Sequence, residues 1–244
     1  MTQNPTAAML VIGDEILSGR TRDANMHHLA GQLAPLGIDL KEVRVVADDH
    51  DAIVAALRAL SAGFTHVFTS GGIGPTHDDI TADAVAAAFE RPIDVREDAK
   101  TLLVNYYEAR GDVATPARLR MARIPEGAAL IDNPVSIAPG FTIGNVHVLA
   151  GVPAVFQAML VSILPKLTGG RPLLSQSLRI ERPESEIAGV LAELAAAHPG
   201  VAIGSYPFND KGVYGANIVV RGHEGAEVDA AIVAISTEFS EAIQ

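Results

Sequence analysis

Strands that alternate with helices from Ala7 onward, glycine-rich turns directly after two of those strands, and a change of rhythm past Gly170 predict a doubly wound, mostly parallel α/β sheet with helices on both faces, followed by a small α+β domain. The division is expected at residues 1–170 and 171–244, because Gly169-Gly170-Arg171-Pro172 interrupts both the helical and the strand patterns.

Ala7 to Ile12 is an uncharged apolar run, expected as the first buried strand, and it ends in Gly13-Asp14-Glu15. Ser18 to Asp23 is a polar loop in which Arg20 and Arg22 could meet an anion. Asn25 to Leu36 is an amphipathic helix with Met26, Leu29 and Leu33 on one face, and its His27 and His28 are read as solvated or partly packed. Lys41 to Val46 is the second strand. Asp49 to Ala62 is a helix with Ile53, Val54, Leu57 and Leu60 at helical spacing. His66 to Thr69, β-branched and aromatic, is the third strand. Gly71, Gly72 and Gly74 then allow a turn with close backbone approach, Pro75 stiffens its exit, and Thr81 is expected to cap a helix running to Phe89 with Asp83 in its first turn.

Asp98 to Arg110 and Ala117 to Met121 are two helices of an insertion of the kind that covers a site. Asn133 to Phe141 is too rich in turn residues for an element and is expected as a loop facing the ligand. Phe141 to Ile143 and Val146 to Leu149 are strands across Gly144-Asn145, and Pro153 opens a helix over residues 154–164. In the second domain, Ser175 to Glu181, Val201 to Tyr206 and Asn217 to Arg221 are strands, and Glu184 to Ala197 and Ala226 to Phe239 are helices. This βαββα unit carries no acidic cluster and no glycine turn of a catalytic kind, and is expected to serve packing or oligomerisation.

Composition excludes several classes of function. Hydrophobic residues make up 48% of the 244, which predicts a chain folded throughout, and the absence of cysteine excludes disulfides, thiolate chemistry and zinc-thiolate sites. The 29 acidic and 18 basic residues give a net charge of −11, which opposes a nucleic-acid backbone, so no DNA or RNA partner is expected. Val146 to Pro165 is the most apolar long window, but Gly151, Pro153 and Gln157 interrupt it, and no membrane role is expected. Met1 to Ala8 lacks a basic start and a long apolar core, so the cytoplasm is the expected location.

Ligands of open α/β sheets sit outside the carboxyl ends of the strands, where Gly13-Asp14-Glu15 and Gly71 to Asp79 both fall. There the amides of the glycine turn could cradle a phosphate, while His77, Asp78, Asp79 and Asp83 offer hard ligands for a divalent cation such as Mg²⁺. The same residues also make a tight turn and a capped helix. The convergence of two strand-end loops favours the ligand over the bare turn. GGIG is not the dinucleotide pattern GxGxxG, and no GK[ST] of a P-loop follows it.

Four ordered motifs, Ile12 to Gly19 with Asp23-Ala24-Asn25, Ser70 to Thr81, Ala138 to Phe141 and Ala150 to Pro153, resemble the MoaB/Mog-like molybdopterin-binding domain family, in the version at the N-terminus of CinA proteins and of eukaryotic FAD synthase. The resemblance covers about Ala7 to Leu167 and weakens beyond. It implies a doubly wound fold with the site between the three loops. In relatives resembling CinA and FAD synthase it implies metal-dependent cleavage of the pyrophosphate of ADP-ribose or FAD; in the MoaB/Mog branch it implies binding, and in some members adenylylation, of molybdopterin. Carried over by motif, Asp79 with Asp14 would hold a divalent cation (Mg, Mn or Co), and Asp78, Asp79 and Asp83 would be the catalytic carboxylates. Gly71, Gly72 and Gly74 would form the phosphate cradle, and Gly13, Asp14, Glu15, Ser18, Gly19, Asn25, Ser70, Thr76, Pro139 and Gly140 would make further substrate contacts.

The expected function is therefore a divalent-metal-dependent pyrophosphatase acting on a small phosphorylated ligand (ADP-ribose, FAD or molybdopterin), in a homo-oligomer, dimer or trimer. A non-catalytic binding module and a molybdopterin adenylyltransferase are the alternatives. Departures from the family pattern are Asp83 where glutamate is usual, Ala150 where proline is frequent, and Ser136-Ile137 where CinA-type chains often carry Gly-Thr. With Gln244 as the last residue, neither the amidase domain of CinA nor the adenylyltransferase domain of FAD synthase is expected.

Overall fold

The computed structural model describes residues 4–242. The chain forms two compact units that divide between Gly170 and Arg171. In the first, the elements are β1 (Thr6–Ile12), α1 (Asp14–Leu17), α2 (Asn25–Leu33), β2 (Asp39–Val46), α3 (His50–Gly63), β3 (His66–Ser70), α4 (Thr81–Ala88), β4 (Ile93–Val95), α5 (Glu97–Glu108), α6 (Pro116–Leu119), β5 (Arg123–Pro125), β6 (Ala129–Ile131), β7 (Gly140–Ile143), β8 (Val146–Leu149) and α7 (Pro153–Ile163). Six strands form one sheet in the order β2-β1-β3-β8-β7-β6, and β4 pairs with β5 apart from it. β2, β1, β3 and β8 run parallel, and β7 is antiparallel to both of its neighbours. The mostly parallel, doubly wound sheet is the one the alternation of elements predicted.

β1 explains why helices cover both faces. Every residue from Ala7 to Ile12 is buried to within 2% of full enclosure, and the period of two sends them alternately to opposite sides. Ala8, Leu10 and Ile12 pack with Ile53, Leu57 and Leu60 of α3, Ala84 and Val85 of α4 and Leu103 of α5. Ala7, Met9 and Val11 pack with Leu29 and Leu33 of α2 and Phe156, Met159, Leu160 and Ile163 of α7. Each large side chain so enclosed contributes roughly 1.5–3 kcal/mol. Because β2 lies on one side of β1 and β3 on the other, the connections diverge at the carboxyl ends of β1 and β3 and leave a crevice between the loops that follow them.

Local chemistry sets the helix limits. Asp49 caps α3 by accepting from the Ala52 amide at 2.8 Å. α2 stops at Leu33, shorter than the apolar spacing to Leu36 predicts: residues 34–36 tighten into a 3₁₀ turn around Pro35, closed by left-handed Gly37. β4, β5 and β6 were not expected, since runs of three residues carry no readable period.

Below the sheet lies a short chain of buried polar groups. His66 and His147 are 8% and 7% exposed. His66 Nε2 faces the Thr168 carbonyl at 3.2 Å, so it carries the proton; His66 Nδ1 then accepts from His147 Nε2 at 3.5 Å, and His147 Nδ1 accepts from the Thr142 hydroxyl at 3.0 Å. Burial, reinforced by the neighbouring His66, lowers the His147 pKa from 6.5 to about 4.

The second unit comprises β9 (Leu174–Ile180), α8 (Glu184–Ala197), β10 (Val201–Asp210), β11 (Val213–Gly222) and α9 (Gly225–Glu238), with an antiparallel sheet in the order β10-β11-β9. Ala216, Ile218 and Val220, alternate residues of β11, meet Ile187 and Leu191 of α8 and Val228, Ala231 and Ile235 of α9. The βαββα order matches expectation, with β10 and β11 each extended to ten residues by the turn between Asp210 and Val213. Among the described residues no helix is long and apolar enough to cross a membrane.

Two outcomes are expected of this architecture. Below pH 6.5 the unfolded chain takes a proton at His147 that the folded chain refuses until about pH 4, so stability falls as pH drops through that window, by roughly 3 kcal/mol over its full width. Urea unfolding of the parent and of His147→Gln at pH 7 and pH 4.5 checks this: the variant should be less stable at pH 7 and lose less on acidification, whereas parallel losses would contradict the assignment. Gly71→Ala should destabilise by more than about 2 kcal/mol in the same assay, because its φ is +110° and an added Cβ would stand 2.2 Å from the Ile12 carbonyl oxygen. A melt unchanged from the parent would refute that contact.

Candidate functional site

The floor of the crevice is made of backbone. The Gly71 amide donates to the Leu149 carbonyl at 3.2 Å, and a Cβ on Gly151 would lie 3.2 Å from the Gly71 Cα, so the ends of β1, β3 and β8 meet main chain to main chain. Asn25, 2% exposed at the start of α2, ties this junction from beneath: its Nδ2 donates to Ser70 Oγ at 2.8 Å and to the Gly151 carbonyl at 2.7 Å. A carbonyl only accepts, which fixes the orientation of the amide and leaves Asn25 Oδ1 buried without a partner.

The glycine turn is locked to the helix behind it. Thr81 donates from Oγ1 to the Gly71 carbonyl at 2.9 Å and from its amide to the Gly72 carbonyl at 3.0 Å. This corrects the expectation that Thr81 caps α4: Ile80 occupies the cap position and makes no side-chain cap, and the Thr81 hydroxyl is turned back to hold the turn. Gly72 sits at φ +68° with Thr81 Oγ1 against the face where a side chain would be, 2.1 Å from an ideal Cβ. Further along, Asp79 closes its own turn: Oδ2 accepts from the Thr76 amide at 2.8 Å and from the Thr76 hydroxyl at 2.5 Å.

Above this floor opens a cleft of about 490 Å³. Gly13, Gly71, Gly72 and Gly74 line it together with four acidic residues, Glu15, Asp48, Asp78 and Asp79; Ile12, Ile73, Met121 and Val155 give it an apolar side, and Asn133, Ser136 and Ala138 come from the loop before β7. Asp48, at the carboxyl end of β2, accepts from the Asp14 amide at 3.0 Å. Its carboxyl is raised above the usual range, first by burial and then by the negative charges of Asp14, Glu15 and Asp78, against the lowering effect of that amide.

The structure thus brings Gly13, Glu15, Gly71, Gly72, Gly74, Asp78 and Asp79 to one cavity. It does not bring the rest there. Ser18 and Gly19 are exposed at the end of α1, Asn25 and Ser70 are buried beneath the floor, Thr76 holds Asp79, and Gly140 is buried at the start of β7. Asp14 lies beside Asp48 and outside the lining, while Pro139 borders a narrow recess behind the glycine turn. Asp83 is placed differently from expectation: it does not line the main cleft with Asp78 and Asp79 but borders the recess behind the glycine turn, held by both terminal guanidinium nitrogens of Arg123 at 2.6 and 2.7 Å, an ion pair joining α4 to β5. His77 is exposed, and Arg20 and Arg22 are exposed and do not line the cleft. Among the described residues no three His, Asp or Glu side chains converge closely enough to hold a metal ion by themselves. Sequence reasoning missed Asp48; its signal was its place after β2, the strand next to β1.

Known proteins match both units. Residues 8–169 match the family described as a probable molybdopterin binding domain, and residues 172–244 match the middle domain of FAD synthase. The crystal structure of the protein CinA, of unknown function, from Thermoplasma acidophilum is 34% identical with a TM-score of 0.62, over 68% of this chain and 99% of that one. A CinA-like protein of Desulfosudis oleivorans is 34% identical over 81% of this chain and 51% of its own length, and a probable FAD synthase of Caenorhabditis elegans is 33% identical over 85% of this chain and 44% of its own. The chain therefore spans about half the length of these two relatives. Glycine turn, acidic cleft and both sequence matches agree: this chain belongs to the MoaB/Mog-like molybdopterin-binding domain family, in its CinA-like form, with a FAD synthase middle domain following it.

Proposed function

We propose that the cleft binds a small phosphorylated nucleotide or pterin and, with a divalent cation, hydrolyses a phosphoanhydride of the ADP-ribose or FAD type. The observation that carries this reading is that a glycine turn and four acidic residues face one cavity of about 490 Å³, large enough for a nucleotide-sized ligand. Carboxylates beside a phosphate require positive charge between them. The Asp48 carboxyl is raised first by burial and then by the negative charges of Asp14, Glu15 and Asp78, and a hard cation is the group that would relieve both.

Asp78 and Asp79 on one wall, with Glu15 and Asp48 lining the same cavity, would share such a cation with the ligand, since Mg²⁺-type ions take one or two carboxylates and complete their shell with phosphate and water. Mg, Mn and Co all suit this oxygen-rich set, and the chemistry supplied on binding is neutralisation of phosphate charge. The chain's own groups would do the rest. Main-chain amides of residues 72–74 would donate to phosphate oxygens, Thr76 would keep the Asp79 carboxylate in place, and Ile12, Ile73, Met121 and Val155 would take a flat ring. One observation favours a second reading, a binding module without turnover: Asp83 is committed to Arg123, and Asp79 Oδ2 to Thr76.

Incubation with ADP-ribose, FAD or NAD and each of Mg²⁺, Mn²⁺ and Co²⁺, followed by measurement of AMP, separates the two: metal-dependent AMP release supports hydrolysis, and ligand binding without AMP supports the module. In the active pair of substrate and metal, Asp79→Asn is expected to lower turnover on the order of 100-fold. Its fold should change by no more than about 1 kcal/mol, because an asparagine oxygen can still accept from Thr76. Turnover equal to the parent's would remove Asp79 from the chemistry, and parallel losses of melting temperature and rate would make it structural.

A further inference from the structure

Five arginines lie between residues 96 and 123, in the insertion beside the cleft, and four of them are spoken for. Arg96 pairs with Asp98, Arg110 lies over the Tyr106 ring, Arg118 pairs with Asp112 and Arg123 with Asp83. Arg120 is different. Its Nε is buried with no hydrogen-bond partner, and among the described residues its side chain makes no ion pair. A guanidinium stays charged at any physiological pH, so a buried donor on it without a partner is free to take an acceptor from a bound group.

Its surroundings say which group. Arg120 borders a recess of about 20 Å³ whose other walls include Gly72, Gly74, Asp79, Pro139 and the Asp83–Arg123 ion pair, in which the Arg123 charge is already answered. Gly72, Ile73, Gly74, Asp79 and Met121 line both this recess and the main cleft, so the two spaces share the glycine turn as a common wall. The recess has room for one water-sized group. Among the described residues no lysine, arginine or histidine lines the cleft itself, and its acidic residues would repel an anion. Among the described residues Arg120 is thus the cation without an ion pair that borders the turn, where a phosphate lying over residues 72–74 could reach it with a single oxygen.

We infer that Arg120 is a phosphate-recognition residue: its guanidinium takes one non-bridging oxygen of the bound ligand behind the glycine turn and discriminates phosphorylated ligands from their unphosphorylated counterparts. This rests on the proposed ligand class but not on turnover. Calorimetric titrations with ADP and with adenosine, in Mg²⁺ buffer, on the parent, Arg120→Gln and Arg120→Lys test it. Arg120→Gln should weaken ADP roughly tenfold to hundredfold while leaving adenosine within about twofold, and Arg120→Lys should fall between, since lysine keeps the charge but loses the planar fork. Rising salt should weaken ADP less in Arg120→Gln than in the parent. Equal losses for ADP and adenosine would make Arg120 structural, and an ADP affinity unchanged in Arg120→Gln would mean that the recess holds a water only; either result overturns the inference while the proposed function stands. A parent protein that binds no ADP removes both, and is recognised without any variant.

Discussion

The close approach of main chain at Gly71 is the constraint from which the site follows. The Ile12 carbonyl stands where any side chain on Gly71 would be, and Gly151 comes against the same residue from the end of β8. Three strand ends therefore meet without side chains between them, and a cavity can open directly over backbone amides. Two polar clamps keep the junction from opening: Asn25 joins Ser70 to Gly151, and Thr81 joins α4 to Gly71 and Gly72. Both clamps are enclosed, where a lost hydrogen bond leaves its partner unsatisfied, so the geometry of the turn is coupled to the packing of the whole sheet.

Charge is distributed against that frame in an unequal way. The chain is acidic overall, and four acidic residues gather at the cleft although burial and mutual repulsion raise the Asp48 carboxyl. Such crowding opposes folding unless a cation joins it, and it is the opposite of what stability alone would select. The nearby arginines mostly answer other carboxylates, and the two that border the glycine turn, Arg120 and Arg123, lie on the side of the recess. For the proposed ligand class such a site would discriminate by position: the phosphate would lie over the turn and the ring against Ile73 and Met121, away from the acidic wall.

The parallel sheet and its loops were legible because their signals are local and periodic. An apolar run ending in glycine and acid can be read twice in the sequence, and it marks the ends of both β1 and β3. What was not legible depends on partners far apart in the chain. Asp83 looked like a member of the Asp78-Asp79 group because it follows them by a few residues, yet a helical turn and Arg123, forty residues on, point it elsewhere. Thr81 has the composition of a cap, and only the folded turn shows that its hydroxyl has a better acceptor in Gly71. Asp48 had no motif around it. Its importance comes from the order β2-β1-β3, which sets the end of β2 beside the loop after β1.

These displacements bear on how a fold of this kind passes between binding and catalysis. The glycine turn and its clamps depend on backbone and on buried residues, and in the proposed role they would serve any phosphorylated ligand equally well. Turnover asks more, because at least one carboxylate must be free to act on the reacting group. Here Asp83 is withdrawn into an ion pair, and Thr76 both holds Asp79 and hydrogen-bonds Asp78, whose carboxyl is thereby kept below the usual range, while Glu15 and Asp48 line the same cleft from beyond the ends of β1 and β2. Chemistry of the proposed kind would therefore rest on the loop ends after β1, β2 and β3 more than on the helix that follows the glycine turn, so a change in α4 would alter the turn's stability before it altered any reacting group.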